Sequence, residues 1–229
     1  MLKITSQQLY DKLVTEYSLV GQTGRILFTL KDLSVKIKTK DTVGNLIQEW
    51  LREWMEQQLI EFEVNPNTQK FPDIYLNLRD RKSGLLEIKA FDFNRGAGFD
   101  LANFESYSNS LLEESYRLDS DYLILGYTMN DTEITIVNVW IKKIWELSGG
   151  SSTYPLKVQE KKKVIYNIRP INWYSDKAKF KCFDSKEDFL AALNETRYKY
   201  SKTHYENSHW LSDVLSNYEK HTGVKLEVR

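Results

Sequence analysis

The stretch FPDIYLNLRDRKSGLLEIKAF, residues 71–91, constrains the fold more than any other part of the sequence. Apolar residues alternate with polar ones from Asp73 to Leu78, and again from Leu86 to Ala90. Alternation with a period of two is typical of β-strands that bury one face. Ser83-Gly84, between the two runs, is a turn signal. The pattern therefore predicts a β-hairpin.

The predicted hairpin gathers charged side chains. Glu87 and Lys89 share one face of the second strand and lie about 7 Å apart along it. If the hairpin closes symmetrically about its turn, Asp73 lies opposite Lys89 or its neighbour, and all three side chains crowd one patch. This prediction depends on the register, because a slip of one residue moves a strand's side chains to the other face.

Two carboxylates and an ammonium group in one patch suit metal-assisted hydrolysis of a phosphodiester. Asp73 and Glu87 offer the hard oxygen ligands that Mg²⁺ prefers, and the backbone carbonyl of Ile88 can add another. A metal so held stabilises the charge that develops on the phosphate and lowers the pKa of a water molecule. Lys89 can position that water or stabilise the phosphate oxygens. The alternative is an exposed strand face on which Glu87 and Lys89 merely flank each other.

Helices are predicted from capping signals and from apolar residues at helical spacing. The Thr5–Gln8 segment forms a capping-box pattern at the start of the first helix. Asp100 is predicted to cap a further helix, and two more are predicted over residues 185–198 and 205–220. The clearest amphipathic run follows Asp41-Thr42, where apolar residues recur on one helical face: Val43, Leu46, Ile47, Trp50, Leu51, Trp54 and Met55.

The remaining segments predict strands and a single domain. Residues 26–37 alternate well enough for strands or an extended arm, and DYLILGYTM and ITIVNVWI are predicted to be buried strands. The element order predicts an α/β fold with helices around a central mixed sheet, because a doubly wound fold needs more regular alternation. We expect one domain over residues 1–229, with a catalytic core at about 41–147 and a C-terminal DNA-contacting, helical region at about 154–229.

Charge and cysteine content limit the class of protein. The chain has 32 basic and 32 acidic residues and a formal net charge of zero, so any positive potential for binding DNA has to be gathered locally. Cys182 is the single cysteine, which fits a reducing compartment. The start MLKITSQQLYDKL lacks the apolar core of a signal peptide, and no run of about 18 uncharged apolar residues occurs. We therefore expect a soluble protein of the bacterial cytoplasm.

Pro72-Asp73 and Glu87-Ile88-Lys89 resemble the signature of the PD-(D/E)xK nuclease superfamily. The wider sequence is similar to the NgoBV group of type II restriction endonucleases, notably in RLDSDYLI, KVIYNIRP and WYSDK. This resemblance covers most of the chain. It implies a restriction-endonuclease-like core, in which helices flank a central mixed β-sheet, followed by a C-terminal helical appendage.

The resemblance also implies a reaction and its partners. An enzyme of this group hydrolyses double-stranded DNA at a short palindromic site, here of the GGNNCC type, with Mg²⁺ as cofactor. In many restriction enzymes of the superfamily the preceding helix carries another acidic residue that faces the metal, and Glu49 occupies the matching place. The alternative for Glu49 is the solvated side of that helix. A palindromic site implies a homodimer, because a two-fold protein matches a two-fold site.

The segment from Lys161 to Lys181 is rich in basic residues interleaved with aromatic ones. We predict phosphate contacts from its lysines, such as Lys177, and base-edge contacts from Arg169 or Asn172. Arg95, in the glycine-containing loop before Asp100, is a further candidate for a phosphate contact. For each of these residues the alternative is a solvated loop.

Other functional motifs are incomplete. The segment Gly21–Arg25 lacks the Lys-Ser/Thr pair of a phosphate-binding loop, and Cys182 has no evident base. His204, His209 and His221 do not place a metal-binding pair on one helical face. Two other interpretations stay open: a repair or resolvase-type nuclease of the same superfamily, and a non-catalytic DNA-binding module.

Overall fold

The computed structural model describes residues 1–39, 42–67, 70–203 and 209–228. The chain forms two compact units, the first from Met1–Ala97 with Asp121–Lys142 and the second from Gly98–Ser120 with Lys143–Arg229. Within the described ranges, every helix is too short or too polar to span a lipid bilayer. His204 lies outside the described residues, as does the beginning of the helix predicted over 205–220.

Within the described ranges, the secondary structure comprises eleven β-strands and five α-helices. The strands are β1 (Thr23–Arg25), β2 (Leu27–Leu30), β3 (Leu33–Lys36), β4 (Glu63–Val64), β5 (Ile74–Tyr75), β6 (Leu85–Asp92), β7 (Ala102–Asn103), β8 (Asp121–Asn130), β9 (Glu133–Lys143), β10 (Val158–Lys161) and β11 (Val164–Ile168). The helices are α1 (Ser6–Asp11), α2 (Val43–Gln57), α3 (Phe104–Ser110), α4 (Lys186–Lys199) and α5 (Trp210–Thr222).

A six-stranded sheet with the order β1-β9-β8-β6-β5-β4 forms the centre of the first unit. The sheet is mixed, as predicted, because β6 and β8 run parallel whereas β5 pairs antiparallel with both β4 and β6. Leu86 and Ile88 of β6 and Leu123 of β8 have no exposed surface. Central strands buried on both faces explain why these segments read as apolar runs.

Helices α1 and α2 pack on this sheet through the faces that the sequence predicts. Thr5 and Gln8 form the capping box, in which each side chain accepts a hydrogen bond from the other residue's backbone N–H. Helix α2 buries a stripe at helical spacing and packs on β6. The buried residues of this stripe are Val43, Ile47, Leu51, Trp54 and Met55.

The second unit contains the three-stranded sheet β10-β11-β7 and the helices α3, α4 and α5. Ser185 caps α4 by accepting a hydrogen bond from the Asp188 N–H, as expected for the predicted helix over 185–198. The prediction that Asp100 caps α3 is wrong, since Asn103 accepts the capping hydrogen bond from the Ser106 N–H at 2.9 Å. The pairing of β7 with β11 keeps the chain extended as far as Asn103, so the helix begins only after it.

Candidate active site

The register between β5 and β6 brings Asp73 to Glu87. Ile74 pairs with Leu86 and Tyr75 with Leu85, so one step further along the same register Asp73 lies opposite Glu87. The sequence-based prediction placed Asp73 opposite Lys89 or its neighbour, which differs by about two residues. The hairpin therefore does close and gather the predicted charges, with a different residue facing Asp73.

The turn between the strands explains the shift in register. The Leu76 N–H donates to the Gly84 carbonyl at 2.9 Å, so Gly84 ends the loop instead of occupying its centre. Asp80 is the midpoint of the loop and accepts from the Ser83 hydroxyl at 2.9 Å. Gly84 has a φ of +64°, and a Cβ there would lie 2.8 Å from the Asn77 nitrogen. This backbone conformation and close approach favour glycine.

Asp73 is anchored directly to β6. Its Oδ2 atom accepts a hydrogen bond from the Ile88 N–H at 2.8 Å. The bond holds the carboxylate at the middle of β6, between Glu87 and Lys89 in sequence. A charge-assisted bond to a backbone N–H is among the stronger ones in proteins, so it fixes the position of Asp73.

Glu87 and Lys89 share one face of β6 as predicted and form an ion pair. The Lys89 Nζ atom lies 2.8 Å from Glu87 Oε1. The other carboxylate oxygen, Glu87 Oε2, is buried and has no hydrogen-bond partner within the described part of the chain. Burial raises the pKa of Glu87, the charge of Asp73 raises it further, and Lys89 acts in the opposite direction. We call Asp73, Glu87, Lys89 and the Ile88 carbonyl the acidic site.

Helix α2 contributes Gln48 to the acidic site. The Gln48 Nε2 atom donates a hydrogen bond to the Ile88 carbonyl oxygen at 2.9 Å. Glu49, which the resemblance singled out, has a side chain that is 66% exposed and pairs with Arg52 at 2.8 Å. Gln48 precedes the buried Leu51 by three residues, so helical periodicity alone places it on the face of α2 that packs against the sheet.

The acidic site has the donors of a site for a hard divalent cation. The residues that the structure describes contain no cluster of three His, Cys, Asp or Glu side chains able to hold a metal. The available set is therefore two carboxylates and one backbone carbonyl, all of them oxygen donors. The carbonyl of Ile88 keeps a second lone pair besides the one that accepts from Gln48. The unpartnered Glu87 Oε2 is the atom that a cation would satisfy.

The predicted DNA-contacting residues differ in how they are held. Asn172 and Lys177 are exposed in the loop that follows β11. Arg169 forms an ion pair with Asp100 and donates a hydrogen bond to the Gly98 carbonyl at 2.7 Å. Arg95 has a side chain that is 72% exposed, with its Nε atom 3.7 Å from Asp92.

His209 and His221 lie at opposite ends of α5. His209 immediately precedes α5 at its N-cap position. His221 lies in the last turn of α5, where a ring nitrogen is 3.1 Å from the Glu113 carbonyl oxygen and the ring packs edge-on against Tyr116.

The chain is similar to restriction enzymes over its whole length. A family model described as NgoBV restriction endonuclease matches residues 3–229. The type II restriction enzyme NlaIV from Neisseria lactamica is 43% identical over 230 residues, which cover 100% of this chain and 95% of that enzyme. The type II restriction enzyme NgoBV from Neisseria gonorrhoeae is 41% identical over 170 residues, which cover 71% of this chain and 93% of that enzyme.

A solved structure supports the same relationship. The NlaIV restriction endonuclease matches with a TM-score of 0.96 at 41% sequence identity, over 100% of this chain and 94% of that chain. This similarity confirms the predicted fold class.

Proposed function

Because the chain belongs to the NgoBV restriction endonuclease family and is a type II restriction endonuclease, we propose that its acidic site hydrolyses phosphodiester bonds of double-stranded DNA with Mg²⁺. The observation that carries the proposal is the buried Glu87 carboxylate. It has one oxygen paired with Lys89 and one without a partner among the described residues, directly opposite Asp73. A buried carboxylate of this kind requires a compensating charge.

Asp73, Glu87 and the Ile88 carbonyl are the groups that would hold Mg²⁺. The raised pKa of Glu87 reflects a carboxylate whose desolvation Lys89 compensates only in part. When bound, Mg²⁺ supplies a Lewis acid that stabilises charge on the phosphate and favours ionisation of water. The hydrogen bond from the Ile88 N–H keeps Asp73 in place as a ligand.

Lys89 and Gln48 have different roles in this proposal. Lys89 supplies a positive charge next to the carboxylates, where it orients the nucleophilic water or stabilises the phosphate oxygens. Gln48 fixes the Ile88 carbonyl through the hydrogen bond from Nε2 and is therefore a positioning residue. Glu49, paired with Arg52 on the exposed side of α2, takes at most an indirect part.

DNA contact is assigned to exposed polar residues. Asn172 and Lys177 are accessible for base-edge and phosphate contacts, and Arg95 for a phosphate contact. Arg169 contacts DNA only by exchanging its bonds to Asp100 and Gly98, so we assign it to orienting the loop in the free protein. The target we propose is a short palindrome of the GGNNCC type, read by a homodimer.

Incubation with DNA and Mg²⁺ tests the proposed function. Purified protein is mixed with long viral DNA in Mg²⁺, with a matched reaction in chelator. Discrete, reproducible fragments that require the metal are expected, and sequencing of their ends gives the target. Cutting confined to branched junctions or flaps would instead identify a repair nuclease. DNA that is bound and never cut, in Mg²⁺ or Mn²⁺, would leave a non-catalytic binding module.

A further inference from the structure

The hairpin formed by β2 and β3, which we call the arm, pairs with no third strand among the described residues. Its register places Phe28 opposite Val35 and Leu30 opposite Leu33. Paired residues, and residues two apart on a strand, share one face of a hairpin. These four side chains therefore form one continuous apolar face.

The apolar face of the arm is open to solvent. Its four side chains are each between 41% and 69% exposed. The opposite face carries Leu27 opposite Lys36, and Thr29 opposite Ser34, whose hydroxyl groups are hydrogen-bonded at 2.7 Å. An isolated two-stranded hairpin is at best marginally stable in water, and monomeric proteins rarely expose contiguous apolar patches larger than roughly 300–600 Å². The arm therefore has the character of an interface.

An apolar groove of about 440 Å³ adjoins the base of the arm. Ile26, two residues before Phe28 and bonded in the same register to the Ile37 N–H, continues the apolar face to the groove. It lines the groove together with Tyr17, Leu46, Trp50 and Ile136. Tyr17, Leu46 and Trp50 are themselves each more than a third exposed. The arm and the groove thus form one continuous surface with a projecting part and a concave part.

We propose that this surface is the homodimer interface, in which the arm of each copy packs into the groove of the other across a two-fold axis. A projecting and a concave part on the same patch make it complementary to itself, as an isologous contact requires. The exposed apolar side chains of arm and groove together present on the order of 800 Å², given ~150–250 Å² for one large aromatic side chain. Each partner in a standard protein–protein interface buries about that area, ~800 Å².

The charges around the surface also fit a second copy. The tip of the arm carries Lys31 beside Asp32, and Arg25 at its base is paired with Glu133 at 2.8 Å. When a patch with both signs meets its own copy, opposite charges come within reach of each other at the rim. DNA does not fit the apolar face, which offers no cation to a phosphate.

This inference rests on the proposed function, which requires a homodimer for a palindromic target, and it assigns the surface that forms the dimer. Leu33→Glu tests it, because the substitution places one charge in each half of a symmetric apolar contact. Ser34→Glu is the matched control: the same charge at the next residue, on the polar face of the same strand. Leu46→Glu tests the groove. Circular dichroism checks that each variant is folded.

Sedimentation velocity measures the mass of each variant at micromolar concentration. The native protein and Ser34→Glu are expected at twice the 27.0 kDa of one chain. Leu33→Glu and Leu46→Glu are expected as monomers, with the dimer Kd raised at least ~100-fold, since charges in the core of an interface are strongly unfavourable. A native protein that stays monomeric would overturn the proposal, as would a Leu33→Glu variant that remains dimeric.

Cleavage measured on the same samples separates the two proposals. A native protein that cuts DNA while Leu33→Glu stays dimeric contradicts the assigned interface and leaves the nuclease proposal intact. A native dimer that Leu33→Glu dissociates, but that cuts no DNA in any divalent cation, supports the interface and contradicts the nuclease proposal.

Discussion

The arm and the β5–β6 hairpin are two antiparallel hairpins of the same compact unit, and they depart from the usual burial pattern in opposite directions. The arm exposes an apolar face that includes Leu30 and Leu33. The β5–β6 hairpin instead buries Glu87 between Leu86 and Ile88, neither of which has exposed surface. Both features are unfavourable for the folded chain, since folding normally buries apolar side chains and leaves charged ones in water.

Each hairpin lacks a different kind of partner. An apolar face is stabilised when another apolar surface covers it, whereas a buried carboxylate is stabilised by a cation. We therefore propose that a second protein surface covers the arm and that a metal occupies the acidic site.

Asp73→Asn is expected to reduce the rate of DNA cleavage by ~10³-fold or more, because it neutralises one of the two carboxylates that we propose to hold Mg²⁺. The variant should stay folded and still bind target DNA when Ca²⁺ replaces Mg²⁺. The measurement is single-turnover cleavage of a defined duplex, with binding followed by fluorescence anisotropy. Native-like turnover in the variant would contradict the assignment of Asp73.

The same truncation in the two hairpins should have very different effects on stability. Leu86→Ala in β6 is expected to lower the free energy of unfolding by about 2–5 kcal/mol, because Leu86 is fully buried. Leu30→Ala in the arm should change it by less than about 0.5 kcal/mol at concentrations where the chain is monomeric, because Leu30 is 69% exposed. Urea unfolding measures both, and equal losses would show that the arm is covered within one chain.

Gln48→Ala and Glu49→Ala form a matched pair on adjacent positions of α2. The first removes the hydrogen bond to the Ile88 carbonyl and is expected to reduce cleavage or Mg²⁺ affinity by about 10–100-fold. The second removes an exposed carboxylate whose partner is Arg52, with no bond to the acidic site, and is expected to change cleavage by less than about twofold. Titration of the cleavage rate with Mg²⁺ measures both, and the reverse ranking would restore Glu49 to the site.

Glu87→Gln is expected to abolish cleavage while raising the stability of the metal-free protein at neutral pH. The pKa of Glu87 is raised above its ordinary value of 4.5 in the folded state, so the folded chain binds this proton more tightly than the unfolded chain. The stability that the protonated Glu87 carboxyl contributes is fully present below pH 4.5. It is lost as pH rises through the higher pKa of the folded state.

Thermal unfolding of both proteins in chelator, from acidic to neutral pH, measures that loss. The native protein should lose stability relative to Glu87→Gln as pH rises, with a Tm difference of about 2–4 °C for each kcal/mol. Addition of Mg²⁺ should stabilise the native protein more than the variant. Parallel pH profiles of Tm would contradict the raised pKa.

Much of the first unit could be predicted from sequence because local patterns determine it. The capping box at Thr5 and the amphipathic character of α2 depend on neighbouring residues alone, and both are confirmed. Of the predicted apolar stripe, Leu46 and Trp50 are not buried but are 40% and 37% exposed. The alternation in β6 also places Glu87 and Lys89 on one face, where they form an ion pair. The assigned roles of these residues stay predictions.

Features that depend on tertiary pairing could not be predicted in this way. The register of Asp73 follows from the loop hydrogen bonds around Asp80, which a turn signal at Ser83-Gly84 does not specify. The cap of α3 is Asn103 and not the predicted Asp100, because β7 pairs with a strand that is distant in sequence. Gln48 was missed because an acidic residue was expected, although helical periodicity places it toward the sheet.

Gly84 gives the acidic site a dependence on a residue that carries no reactive group. A side chain at this position would meet the Asn77 backbone nitrogen, and its positive φ is unfavourable for other residues. If the loop lengthened by one residue to relieve that contact, Glu87 and Lys89 would turn to the opposite side of the sheet relative to Asp73. The register of the β5–β6 hydrogen bonds therefore sets the geometry of the two carboxylates. That register is possible because Gly84 has no side chain.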